Sequence, residues 1–375
     1  MSMTRRALAS VLAVAACGPA IDAAGGLSGG PVGSTSSTTS APAPTAHADT
    51  SVTSSSAGTG AGSSTADIDG EATSTGDTGP LWDLGSDPEP DPAAPTWCSA
   101  KKVDFLFVIP RFPGMEELQP RITASLPMIL EGIDAVFADF DFHIMVIDAD
   151  GGGWGDGACI GPVACPGDFG CPAIDEPSYP CWAPKAGVVT YCDGAQGAGV
   201  VFPATKGASN KPCPVPPGRR YLEGDDPGLA DAFECIARVG YAEGPPSTGQ
   251  ALMDAVGPEH NAPGGCNFGF LRDDALLFIT IIQNTGDPLS PYNPLVWANK
   301  VKAAKDDDAV FVLGVLSDSV LDPPVCPPNA YDQLEMFVAN FEHALEVSAC
   351  EPTYAPGFLK AATMARMLCD SPAPK

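Results

Sequence analysis

The chain of 375 residues carries 19 Lys and Arg against 46 Asp and Glu, a formal net charge of -27, with 41 Gly, 40 Pro and 13 Cys. So acidic a surface repels nucleic-acid phosphates and anionic lipid headgroups, which argues against nucleic-acid binding and against electrostatic docking on a membrane. The length allows two average domains, but residues 18–96 are too poor in aliphatic side chains to build a core.

At the amino terminus, Arg5 and Arg6 precede a short apolar run over residues 7–16. It is too short to span a bilayer and has the pattern of a secretory signal. The run ends Val14-Ala15-Ala16-Cys17, which resembles the lipobox of bacterial lipoproteins. That resemblance implies a signal over residues 1–16, a lipid on Cys17, and an extracytoplasmic protein touching the cell envelope through its anchor alone. The alternative is ordinary cleavage with Cys17 incidental. With Cys17 set aside, 12 cysteines remain, an even number that suits a disulfide framework in an oxidising compartment. Residues 17–96 then read as a lipidated cysteine followed by a disordered tether rich in Ser, Thr, Gly and Pro, with an r.m.s. reach of roughly 50 Å.

Trp97 and Cys98 open the folded region, expected over 97–370. Residues 103–109, Val-Asp-Phe-Leu-Phe-Val-Ile, form a short, nearly apolar run followed by a Pro/Gly break and a helical pattern. This is the signature of a strand buried on both faces of a parallel sheet. The expected fold is therefore α/β, a doubly wound, mostly parallel sheet flanked by helices. Its ligand sites would lie in the loops at the carboxyl ends of the strands. The stretch also resembles the first strand and loop of bacterial von Willebrand factor A-like domains. There the strand normally ends Asp-x-Ser-x-Ser-Met and its oxygens grip a divalent cation. Further likeness lies in Gly269-Phe270-Leu271-Arg272-Asp273-Asp274-Ala275 and in the ending with Cys350-Glu351-Pro352-Thr353-Tyr354 and Cys369.

Residues 116–137 place Leu118, Ile122, Leu126, Ile129, Leu130, Ile133 and Val136 on one helical stripe, with Pro127 expected to bend it. Residues 140–147 read as a second buried strand, with His143 a packed or edge histidine rather than a ligand. Residues 148–222 break the rhythm: they are dense in Gly and Pro and hold six cysteines, Cys159, Cys165, Cys171, Cys181, Cys192 and Cys213. A stretch so poor in core formers needs staples, so a disulfide-braced insertion is expected, with short strands at 187–191 and 199–202. It should emerge on the face of the Pro110 loop and take part in recognition.

Residues 219–222 are read as an antiparallel edge strand. Helices follow at 229–239, 250–256, 295–305, 331–345 and 354–369, and buried strands at 274–282 and 309–316. Cys369, on the last helix, is a candidate partner for Cys98; the other pairings stay open, because spacing does not fix connectivity.

The resemblance implies ion ligands from three loops, and here the liganding types are replaced. In the first loop Pro110, Phe112 and Gly114 stand at the Asp and Ser positions; in the second, Pro246 stands for Thr; in the third, Asn284 stands for Asp. A hard dication wants several oxygens, carboxylates among them, so no metal and no other cofactor is expected. Fall-back ligands are Ser247, Thr248, Asn284 and Asp287. Asp148, Asp150 and Asp156, spaced around glycines and Trp154, faintly suggest a calcium loop but lack EF-hand spacing and read as an acidic turn.

No nucleophile elbow, His-Glu-x-x-His, phosphate loop or Cys-x-x-Cys is present. No catalytic residue is assigned, and His260 is the one histidine worth testing. The leading expectation is a surface-tethered binding or adhesion module that contacts a protein or glycan without a metal ion. Its binding face would include Arg111, Phe112, Asp148, Asp150, Trp154 and Asp156. The alternatives are a secreted hydrolase using Asp148, Asp150 and Asp156, and an envelope structural protein with no small ligand.

Overall fold

The computed structural model describes residues 95–149, 154, 189–241, 245–317 and 333–370. The signal, Cys17, nearly all of the tether, Asp150 and Asp156 lie outside these residues. A short helix, α1 (Thr96–Ala100), leads into β1 (Lys102–Val108), α2 (Met115–Val136), β2 (Asp141–Ile147) and, after the insertion, β3 (Leu222–Glu223). Then come α3 (Leu229–Ala237), α4 (Thr248–Val256), α5 (Pro258–Asn261), β4 (Leu276–Gln283) and α6 (Pro294–Ala304). The chain continues through β5 (Val310–Leu316), α7 (Gln333–Val338), β6 (Ala344–Ser348) and α8 (Ala355–Asp370).

The six strands lie in the order β3-β2-β1-β4-β5-β6, all parallel except β3, which pairs antiparallel with β2. Alternate residues of β1 explain the layers. Phe105 and Phe107 enter a core roofed by α2, α3 and α8, while Leu106 and Val108 enter one roofed by α4, α6 and α7. Both faces are covered, as the unbroken apolar runs require. On the first face Phe105, Phe107, Phe278 and Phe358 meet at ring-centroid distances of 5.4 to 6.1 Å, the range aromatic pairs favour. On the second, α4 lies so close to α6 that a Cβ on Gly249 would come within 2.4 Å of the Trp297 ring.

α2 runs through both Pro120 and Pro127 without a break. The helix expected over 331–345 is shorter, and its end belongs to β6, which pairs with β5. The stripe Leu334, Phe337, Val338 and Phe341 does pack on one core, but Phe341 does so from a turn, its ring 5.0 Å from that of Phe337. The strand expected at 199–202 is absent. That segment makes a single rung on the sheet, Val200 N–H to Val146 O at 2.7 Å. Of the strand expected at 187–191, residues 187 and 188 lie outside the described residues, and 189–191 form no strand but lead into a 3-10 helix at Tyr191–Asp193. The edge strand lies at Leu222–Glu223, beginning at the last residue of the expected 219–222.

Cys98 bonds Cys369, tying α1 to the end of α8. Cys192–Cys266 and Cys213–Cys235 tie the insertion outward to later elements. Every cysteine among the described residues is disulfide-bonded.

Candidate functional site

In this strand order the chain leaves β1 toward one edge and β4 toward the other, so the loops after β1 and β4 flank the topological switch point where doubly wound sheets hold ligands. Here that crevice is filled by the protein itself. Pro110 and Phe112 are buried, and the Phe112 ring lies where a Cβ on Gly114 would sit, 2.4 Å from its Cε2 and 2.8 Å from Asn284 Oδ1. Arg111 turns inward and pairs with Asp148 at the end of β2, Nε to Oδ2 3.0 Å, with both side chains at most 3% exposed. A fixed guanidinium thus lies between the first two strand ends.

The four fall-back oxygen ligands are spent on, or packed against, the protein. Ser247 donates to Ala149 O at 2.9 Å and accepts from Gln196 Nε2 at 2.6 Å. Thr248 donates to Gln283 Oε1 at 2.6 Å, whose amide in turn reaches Thr285 O and Gly286 O. Asp287 accepts from Gly249 N–H (2.6 Å), Ser290 N–H and Ser290 O–H. It is 1% exposed, and burial pushes its carboxyl above the usual range. Asn284 Oδ1 faces Gly114. Pro246 is buried.

Of the expected binding face, Arg111, Phe112, Asp148 and Trp154 are all buried, each at most 6% exposed. Trp154 donates its indole N–H to Phe202 O at 3.0 Å. These four therefore support the face from beneath instead of presenting themselves to solvent. Sequence periodicity misses this because loop residues have no fixed inside and outside. Among the described residues this face exposes three large apolar side chains: Leu289, Tyr292 and Leu295, 58, 74 and 53% exposed, in the loop after β4 and the first turn of α6. The loop is fastened below by Asp287 and by Trp297 Nε1–H to Pro291 O at 2.7 Å. Tyr292 is held at φ 69°, a left-handed conformation unusual for a bulky residue. The sequence signal was present in Leu289-Ser290-Pro291-Tyr292-Asn293-Pro294-Leu295, apolar side chains spaced by turn formers.

The insertion does reach this end of the sheet. Gln196 Nε2 donates to Ala149 O and Ser247 Oγ, and Arg220 binds Asp193 at 2.7 Å and Gly199 O at 2.6 Å. His260 donates from Nε2 to Gln196 O at 2.8 Å, so the histidine singled out for chemistry braces the insertion.

A second polar cluster lies at the opposite end of the sheet, unforeseen in the sequence. Asp104, wholly buried on β1, binds Arg272 through its backbone N–H and its Nε, each at 2.8 Å. Burial outweighs that attraction and raises the Asp104 carboxyl to about 6. Arg272 also reaches Asp141, and Lys305 caps the Arg272 carbonyl. His143 packs beside it on the Tyr221 ring, centroids 4.5 Å apart, and burial lowers its pKa to about 4.

No known family model matches the chain, and no curated protein matches it. Among the described residues no helix is long and apolar enough to cross a membrane.

Proposed function

We propose that this protein is a surface-tethered, extracytoplasmic binding module with a von Willebrand A-like domain, lipidated at Cys17, that grips a protein or glycan without a metal ion. The observation that carries the reading is the loop after β4: its polar groups are bonded inward, while Leu289, Tyr292 and Leu295 stand in solvent at the switch point. A rigid aromatic flanked by aliphatics is the side-chain set that supplies binding energy at low entropic cost. The inward Arg111–Asp148 pair supports a metal-free reading, since it holds a permanent cation beside the first loop. The hydrolase alternative loses support from the same pair, because Asp148 is committed to Arg111.

The test is capture from cell-envelope extracts by the full chain, with and without EDTA, beside the Tyr292→Ala variant. Capture that resists EDTA and is lost in Tyr292→Ala is expected. Release by EDTA, or equal capture by the variant, overturns the reading.

A further inference from the structure

Three disulfides join pairs of described residues, and their surroundings differ. Cys213 and Cys235 belong to the core under α2, α3 and α8, and Cys98 and Cys369 pack against it. Cys192 and Cys266 join neither core, and both are half-buried. They line a cleft of about 470 Å³ together with Pro212, Val215, Pro216 and Pro217. Cys213 touches the same cleft, but it is 9% exposed and its partner Cys235 only 5%. Around Cys192 and Cys266 the surface is open: Tyr191 and Phe268, within two residues of them, are 75 and 53% exposed.

The two segments this bond joins are also held together without it. Asn267, wholly buried beside Cys266, accepts from Gly199 N–H and donates to Gly197 O, each at 2.9 Å. The His260 ring bonds Gln196 O, and Asn267 N–H returns to His260 O at 2.8 Å. Beside Cys192, Thr190 and Asp193 close a capping box, and Arg220 fastens Asp193 to Gly199 O. Breaking the sulfur bond therefore leaves the insertion tied to the loop after α5. A disulfide packed into a core is open to attack only after local unfolding, whereas one lining a cleft is reached in the folded chain.

We propose that Cys192–Cys266 is a site of reversible thiol–disulfide exchange with a dithiol that enters this cleft. The thiolate of the dithiol attacks one of the two sulfurs, the S–S bond breaks, and the other cysteine leaves as a thiolate that takes a proton from water. The second thiol of the reductant then attacks the mixed disulfide and releases the remaining cysteine. The reductant ends as a disulfide, and the protein gains two electrons and two protons. The same exchange run backwards, with a disulfide as oxidant, closes the bond. The site is independent of the apolar loop face, and the binding module proposed above stands or falls without it.

The experiment exposes the full, oxidised chain without denaturant to dithiothreitol as a small dithiol and, separately, to reduced thioredoxin as a protein dithiol. Free thiols are alkylated at timed intervals and assigned by peptide mass spectrometry, with circular dichroism followed in parallel. Cys192 and Cys266 are expected to open about tenfold faster or more than Cys98–Cys369 and Cys213–Cys235 in at least one arm. The spectrum should stay native while they are open, and glutathione disulfide should close them again. Selectivity in the thioredoxin arm alone assigns a protein dithiol, and selectivity with dithiothreitol a small one. Opening no faster than the other two pairs in both arms, or loss of the native spectrum in step with opening, overturns the proposal.

Discussion

The Arg111 guanidinium lies 3.0 Å from the Asp148 carboxylate, and both side chains are almost wholly withdrawn from water. Removing one member of such a pair leaves an uncompensated buried charge, at a cost of about 3 to 5 kcal/mol. Arg111→Met is therefore expected to lower the urea midpoint sharply. The double replacement Arg111→Met with Asp148→Leu should recover most of that loss, because the desolvation of both charges goes with them. A double variant no more stable than the single one would mean that the pair is not the unit that matters.

Thr280, in the middle of β4, is 2% exposed, and its hydroxyl has no hydrogen-bond partner. Its neighbours across the sheet are Phe107 and Leu313. An unmet buried hydroxyl costs about 1 to 3 kcal/mol. Thr280→Val, nearly the same shape, should raise stability by about 1 kcal/mol in chemical denaturation; a loss would show that the hydroxyl is satisfied.

Tyr354 donates its phenolic O–H to Ala349 O at 2.9 Å while its backbone N–H binds Ser125, joining the start of α8 to α2. Burial raises its pKa above the ordinary 10.0. Above pH 10 the folded chain keeps a proton that the unfolded chain releases, so the contribution is complete below the unfolded pKa and is lost as pH rises through the folded one. Stability should thus fall from about pH 10 upward, and Tyr354→Phe should flatten that limb. The check is denaturation midpoint against pH; an equal slope in the variant assigns the limb to other groups.

Cys98 and Cys369 are 271 residues apart and close α1 against the end of α8. Constraint of so long a loop is worth up to about 5 kcal/mol in the chain-entropy account. Replacing both by Ala should lower the thermal midpoint far more than replacing the pair Cys213 and Cys235, which are separated by only 22 residues. Equal losses would favour native-state packing over chain entropy as the source.

Where the sequence alternated between unbroken apolar runs and one-sided stripes, it specified the elements: strands buried on both faces have no other place in a soluble chain, and the stripe of α2 has one face to bury. That logic yielded four of the strands, the layers and the α/β class, while the edge strand β3 overlaps its expected stretch only at Leu222. β6 escaped it because Ala344–Ser348 is short, half-buried and adjacent to a genuine helical stripe. The disulfide Cys98–Cys369 was a matter of bringing two ends of a known layer order together; Cys192–Cys266 was not, because its reach depends on where a Gly- and Pro-rich loop returns.

For the site, the amino-acid types alone determined that the oxygen ligands of the resembled ion site are replaced. Only the tertiary structure decided what fills their place. Whether Arg111 and Trp154 face water or the interior depends on which carboxylate and carbonyl lie within hydrogen-bonding distance. Those partners, Asp148 and Phe202, come from other loops. Asp104 likewise read as one polar residue in an apolar strand, and its meaning came from Arg272, 168 residues away. Local pattern encodes burial along an element; pairing of buried charge is settled by contacts between segments remote in the chain.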